Sequence, residues 1–272
     1  MADVKQIEDK TKDVEDELAG SEAPLLEHLV ELRKRLIYSA VTIVALMAFC
    51  FIFASTIYDW LLVPYRNAVP NAKLIFTAPQ ELFFTYLNVA LFGAIFLGFP
   101  MIATQIYMFV APGLYKHERR AFVPYLVATP IFFLAGAALV YFVVLPMALH
   151  FFASMQTVDI EMLTQVSEYL GLAMVLILAF GICFQLPVVL TLLAQIDLVH
   201  VDELKKGRRY AIVGILIFAA FITPPDPISQ IGLAVPMYLL YELSIISVRM
   251  IEKRRAAALA AQEAELSSSS SE

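Results

Sequence analysis

Charge is scarce in this chain. Only 16% of its 272 residues are Asp, Glu, Lys or Arg, and 60% are hydrophobic, whereas a soluble domain carries about a quarter charged and about half apolar residues. The excess apolar surface must face something other than water, and long apolar runs point to a bilayer. Metal-binding and catalytic residue types are scarce as well. The four histidines, His28, His117, His150 and His200, avoid the middle of every apolar run, and none lies in an H-E-x-x-H pattern. Cys50 and Cys183 each lie within an apolar run without metal-ligand spacing, and read as small buried hydrophobes. There is no G-x-S-x-G, no phosphate loop and no aspartate in the middle of an apolar run, which excludes an intramembrane aspartyl dyad. No catalytic residue, metal or cofactor is assigned, the chain is not expected to be an enzyme, and no nucleic-acid partner is expected.

What the sequence does have is apolar length. A helix needs roughly 20 apolar residues to cross about 30 Å of hydrocarbon. Candidate spans run from about Leu36 to Ile57, Leu82 to Val110, Phe122 to Leu145 (stopping at Pro146), Tyr169 to Leu193, Tyr210 to Ile222 and Ile228 to Val248. The fifth has only 13 residues and reaches roughly 20 Å, so alone it also fits a buried or re-entrant helix. The basic residues decide. Lys5, Lys10, Lys12, Arg33 to Arg35, Lys116, Arg119, Arg120, Lys205, Lys206, Arg208, Arg209, Arg249 and Lys253 to Arg255 make 17 of the 19 Lys and Arg fall on one side if all six segments cross. Only Arg66 and Lys73 fall on the other. Basic loops stay cytoplasmic, so both termini are expected inside. The expected fold is all-α, with six transmembrane helices of which the fifth and sixth are short.

The domain reading is a disordered acidic cytoplasmic tail over 1–23, a membrane domain over 24–250 and a partly disordered cytoplasmic tail over 251–272. Leu25, Leu26, Leu29, Leu32 and Leu36 recur at helical spacing, which predicts an amphipathic helix lying on the membrane surface before the first span. The 59–81 and 146–168 connections, the first with Pro64, are expected to be outer caps. Within the spans, Asn88, Gln105 and Gln185 need hydrogen-bond partners on other helices. Glu242 is the only strongly ionisable group well inside one, about 10 Å deep by helix rise. It fits a hydrogen bond between spans, or a coupling site of an ion-coupled small-solute transporter.

Six strings occur in order along this topology: His28 to Leu36 (HLVELRKRL), Ala111 to Arg120 (APGLYKHERR), Tyr141 to Pro146 (YFVVLP), Phe180-Gly181 with Phe184 to Pro187 (FQLP), Arg208-Arg209-Tyr210, and Thr223 to Asp226 (TPPD). Together they resemble the TatC family, the multispanning receptor of the twin-arginine protein translocase, over about residues 25–249. The resemblance implies a concave, glove-shaped bundle in the bacterial or archaeal cytoplasmic membrane. It implies binding of twin-arginine signal peptides of folded cargo, assembly with TatA- and TatB-type single-span subunits and with further copies of itself, and export driven by the proton-motive force.

It also implies site residues. Guanidinium groups of a guest peptide need planar acceptors, and carboxylates serve best. Glu118 is expected to pair with one arginine, and Glu31 or a nearby carbonyl to help with the other. Without the resemblance, Glu118 could equally pair with Arg119 or Arg120. Phe109, Pro112 and Tyr115 would shape the adjoining surface, with Arg33, Lys116 and Arg119 beside it. Arg33, with Lys34 and Arg35, reads first as a topology anchor. Gln185, where many members carry glutamate, is the expected polar contact for a partner helix inside the membrane, together with Glu242. Glutamine cannot titrate, which separates this position from proton coupling. Pro64 and Asp226 belong to the outer face. Asp226 reads first as a cap of span six, with a functional role suggested by the family.

Overall fold

The computed structural model describes residues 28–69, 74–110, 123–155, 163–222 and 227–269. The described residues are helical almost throughout. The helices are α1 (His28–Ile52), α2 (Ala54–Ala68), α3 (Glu81–Val110), α4 (Val123–Leu139), α5 (Leu145–Ser154), α6 (Val166–Cys183), α7 (Leu186–Gln195), α8 (Val201–Ile222) and α9 (Pro227–Ser269), with a π-helical turn, Val140–Val144, joining α4 to α5.

Among the described residues, five helical stretches are long and apolar enough to cross a membrane: His28–Ile52, Glu81–Phe109, Tyr125–Ser154, Val166–Gln195 and Gln230–Ala257. The expected fifth span lies in α8, whose first turns carry Asp202, Glu203, Lys205, Lys206, Arg208 and Arg209. Its apolar part is too short for that criterion, which is consistent with the short crossing expected.

The first span starts earlier than predicted. From His28 onward the expected surface-lying segment is simply the opening of α1, which continues unbroken into the apolar run. Phe53 interrupts it with φ −102° and ψ 14°, and the chain turns into α2. The 59–81 connection is therefore mostly not a loop, because α2 extends to Ala68 with Pro64 buried inside it. Proline has no N–H to give the carbonyl four residues back, here that of Trp60. Tyr141 of the π turn supplies the missing donor, its hydroxyl donating to the Trp60 carbonyl at 2.7 Å.

Pro146 likewise does not stop the third span. One helix runs from Tyr125 to Ser154, and the wider π turn just before Pro146 relieves the clash between the proline ring and the preceding turn. Pro187 has the opposite effect on the fourth span. α6 ends at Cys183 and α7 begins at Leu186, with Pro187 in its first turn. At this break Phe184 still donates to Phe180 at 2.9 Å, but the Gln185 amide turns to Ile182 at 2.9 Å. The tighter bond leaves the Gly181 carbonyl without its usual backbone donor.

α4 and α6 cross at very close range through Gly136 and Gly181. A Cβ on Gly136 would sit 2.6 Å from the Phe180 carbonyl oxygen, and one on Gly181 2.5 Å from the Phe133 ring. Phe133 in turn stacks on Phe99 of α3 with centroids 3.9 Å apart. The main core gathers α2, α3, α6 and the π turn around Tyr65, Val89, Val140, Leu170 and Phe180. A smaller core holds α8 to α9 through Leu204, Tyr241, Ile245 and Val248.

Two features of the end opposite the basic residues were not anticipated. A short parallel strand pair aligns Leu74 with Thr164 and Ile75 with Gln165. Glu81 clasps the same place. One carboxylate oxygen accepts from the Thr77 amide at 2.7 Å and the other from the Ser167 hydroxyl at 2.6 Å, joining the starts of α3 and α6. At the far end, α9 continues as helix past residue 250 to Ser269, within the tail read from the sequence as partly disordered.

Candidate functional site

The basic end of α1 packs against the end of α3, and this corner gathers Glu31, Arg33 and Phe109 among the described site residues. Glu31 and Arg35 are one turn apart, so their side chains share a face. Arg35 Nη2 donates to Glu31 Oε1 at 3.1 Å, both side chains being about a quarter exposed. Its Nη1 reaches across to Gln105 Oε1 of α3 at 3.3 Å and to Met108 Sδ at 3.2 Å. One turn earlier, His28 stacks on Phe109 with ring centroids 4.2 Å apart. Arg33 points from the exposed face of α1. Phe109 is the penultimate residue of α3, so the 111–122 connection departs from this corner. Glu118, Tyr115, Lys116, Arg119 and Pro112 lie in that connection, outside the described residues, as does Asp226.

A second polar cluster lies at the α6–α7 break. Gln185 is 9% exposed. Its amide nitrogen donates to the Thr129 carbonyl at 3.0 Å and to the Gly181 carbonyl at 3.3 Å. The side chain thus replaces the backbone donor that the break took from Gly181. The Thr129 hydroxyl meets the Tyr107 hydroxyl at 2.8 Å, so α3, α4 and the break are tied in sequence. The carbonyl oxygen of Gln185, Oε1, is buried and lacks a hydrogen-bond partner among the described residues. A bare acceptor in apolar surroundings is costly.

The third cluster joins α8 to α9. Glu242 accepts from Arg208 at 2.7 Å and from Tyr238 at 2.8 Å. The carboxylate that looked solitary in the sequence is paired with a cation from the neighbouring helix, which supports the reading of Glu242 as a bond between spans. Pro64 touches none of these clusters, and its described role is to free the carbonyl that Tyr141 serves.

Sequence reasoning missed Arg35 as a site residue because it was absorbed into the basic run that sets topology. The Glu31–Arg35 spacing was the available signal. Gln105 was noticed only as an internal amide, and nothing in its spacing named Arg35 as its partner. Thr129 and Tyr107 gave no signal, since hydroxyls are common in apolar helices. Among the described residues no group of His, Cys, Asp or Glu is arranged to hold a metal ion.

The apolar helices, the broken fourth span and the polar ties between helices define a multispanning helical membrane protein. Residues 27–236 match the family model described as Sec-independent protein translocase protein (TatC). The TatC protein of Magnetococcus marinus is 45% identical over 244 residues, covering 89% of this chain and 90% of that one. The TatC protein of Escherichia coli K12 is 37% identical over 227 residues, covering 83% and 88%. A crystal structure of the twin arginine translocase receptor TatC superposes with a TM-score of 0.76 at 33% identity, covering 83% of this chain and 99% of the other. The chain belongs to the TatC family, and is a membrane-embedded component of the Sec-independent protein translocase.

Proposed function

We propose that this chain is the receptor subunit that binds twin-arginine signal peptides at its basic, cytoplasmic face, in the cytoplasmic membrane with both termini inside. The observation that carries the reading is the α1–α3 corner. It places the Glu31 carboxylate beside the point where the connection bearing Glu118 leaves α3, and Phe109 there stacks on His28. Glu118 takes one guest guanidinium and Glu31 the other, each by charge-assisted bonds of the bidentate kind. Tyr115, Lys116, Arg119 and Arg33 frame that surface. The name of the crystallised relative, a twin arginine translocase receptor, supports the same reading.

The guest's apolar stretch and the single-span TatA- and TatB-type partners lie along the bundle within the membrane. Gln185 Oε1, covered in this arrangement, is the acceptor that a polar group from such a helix would reach on displacing its cover. Glu242 acts through Arg208 by fixing α8 against α9. Asp226 serves the outer turn between those helices. Assembly with further copies and use of the proton-motive force follow from the translocase role.

The test is crosslinking of a twin-arginine peptide, with the photoreactive group beside its arginine pair, to the purified full chain, with a twin-lysine peptide as control. The arginine peptide is expected to bind about tenfold or more tightly than the lysine one, because lysine loses the fork geometry. Glu118→Ala should remove that preference. Equal labelling by both peptides, unchanged by the mutation, rejects the site. The alternative, a small-solute carrier, rested on Glu242 and the internal amides; Glu242 is paired with Arg208, and Gln105 and Gln185 are bonded within the bundle, which weakens that motive. Solute flux in proteoliposomes that responds to Glu242→Gln would restore it.

A further inference from the structure

Three membrane-spanning stretches reach one level on the basic side of the molecule: one begins at Tyr125, one ends at Gln195, and one passes Arg254 shortly before its end at Ala257. Between them opens a cavity of about 420 Å³ lined by Tyr125, Gln195, Ile251, Arg254 and Arg255. A second cavity, about 220 Å³, shares Tyr125, Ile251 and Arg254 and extends toward the apolar interior past Thr191, Ser247 and Met250. We propose that this double cavity binds the phosphate group of an anionic phospholipid, with the glycerol and the start of a chain entering the inner part.

The sign of the lining charge comes first. Among the described residues it holds two guanidinium groups and no carboxylate. Arg255 is committed, since it pairs with Asp197. Asp197 is itself held in place. It takes the left-handed φ of 59° at the end of α7, in a turn closed by Asp197 to Ala194 at 3.2 Å and Leu198 to Leu193 at 3.0 Å. This is the bonding pattern that usually ends a helix at glycine. Glu252, the nearest acid on α9, is turned away to accept from the Val201 amide at 2.9 Å. Arg254 makes no ion pair with any described residue. Among the described residues it is a cation in a cavity with no counter-charge of its own, and its fork suits a phosphate.

The remaining donors agree. The Thr191 and Ser247 hydroxyls spend their protons on the Pro187 and Leu243 carbonyls of their own helices. The grip on an anion therefore falls to Arg254, the Tyr125 hydroxyl and the Gln195 amide. Depth is the second, independent argument. A tyrosine at the start of a span sits at headgroup level, which is where a lipid phosphate lies. Basic pockets between spans on an anionic leaflet attract acidic lipids at about 1 kcal/mol per Lys or Arg. The inner walls, Met250 and Ile251, suit a glycerol backbone and not a free ion.

Native mass spectrometry of the detergent-purified full chain tests this, with dioleoyl phosphatidylglycerol, dioleoyl phosphatidylcholine and inorganic phosphate as probes. Phosphatidylglycerol should be retained about fivefold over phosphatidylcholine. Arg254→Gln should abolish that preference and Arg254→Lys should keep part of it, which shows that the pocket still forms. Lys253→Gln, on the exposed neighbour outside the cavity, should leave it unchanged. An undiminished preference in Arg254→Gln overturns the proposal. So does an equal loss in Lys253→Gln, which would mean a diffuse basic surface. Displacement of the lipid by millimolar inorganic phosphate would reassign the pocket to a free anion and overturn the lipid reading.

Discussion

The most apolar 18-residue stretch of α1 is 6% buried within the chain, and that of the α6–α7 pair is 50% buried. Both cross as helices, and sequence patterning alone does not separate them. α6 is packed on several sides, with Leu170, Ala173 and Phe180 almost fully covered. α1 leaves Val41, Val44 and Ile52 more than half exposed and is fastened mainly near its ends, by Arg35 to Gln105 and by Cys50 against Gly93. In a bilayer lipid tails are as apolar as leucine, so helices associate through close packing and hydrogen bonds and not through burial of oily surface. The difference between the two helices is thus one of fit: α6 offers glycines and a broken turn that neighbours complete, and α1 offers a largely uninterrupted apolar rod.

Substitutions should respond to that difference in order. Gly136→Ala is expected to be the most damaging, because the new methyl would lie 2.6 Å from a backbone oxygen that cannot swing aside. A cost of about 3 kcal/mol is expected, at the upper end of overpacking, read as a lowered unfolding midpoint in detergent. Gln185→Leu should follow. It leaves the Thr129 and Gly181 carbonyls without this donor, at about 2 kcal/mol if the break does not relax. A helix that stayed equally stable would show that water replaces the amide. Val44→Ala, on the 68% exposed face of α1, should change stability by about 0.5 kcal/mol or less. A loss as large as that of Gly136→Ala would mean that α1 is not the loosely held member of the pair.

The membrane class and nearly all of the spans were legible because both rest on one-dimensional quantities, apolar length and the side on which cations fall. Where helices bend was not. Pro64, Pro146 and Pro187 look alike in sequence. One sits inside α2, one follows a π turn without ending the span, and one lies beyond a true break. The outcome depends on tertiary donors such as Tyr141 and Gln185, which are distant in the chain. The site divided in the same way. Glu31 was named through the family resemblance, and Gln185 by its residue type and place inside a span. Their partners could not be named, apart from Arg35, whose helical spacing was visible beneath the stronger signal of a basic run. The Glu242–Arg208 bond joins residues 34 apart, a separation that no periodic pattern encodes.

The bond from Tyr141 to Trp60 has a consequence for how this chain can vary. The ring at position 64 strips one carbonyl of its backbone donor, and a phenol 81 residues from that carbonyl makes good the loss. A residue at 64 with its own amide hydrogen would close the ladder and make the phenol redundant. A proline kept there opposite a phenylalanine would leave an acceptor bare among apolar neighbours. What one position is allowed to become is therefore written at the other, and the pair drifts together or not at all.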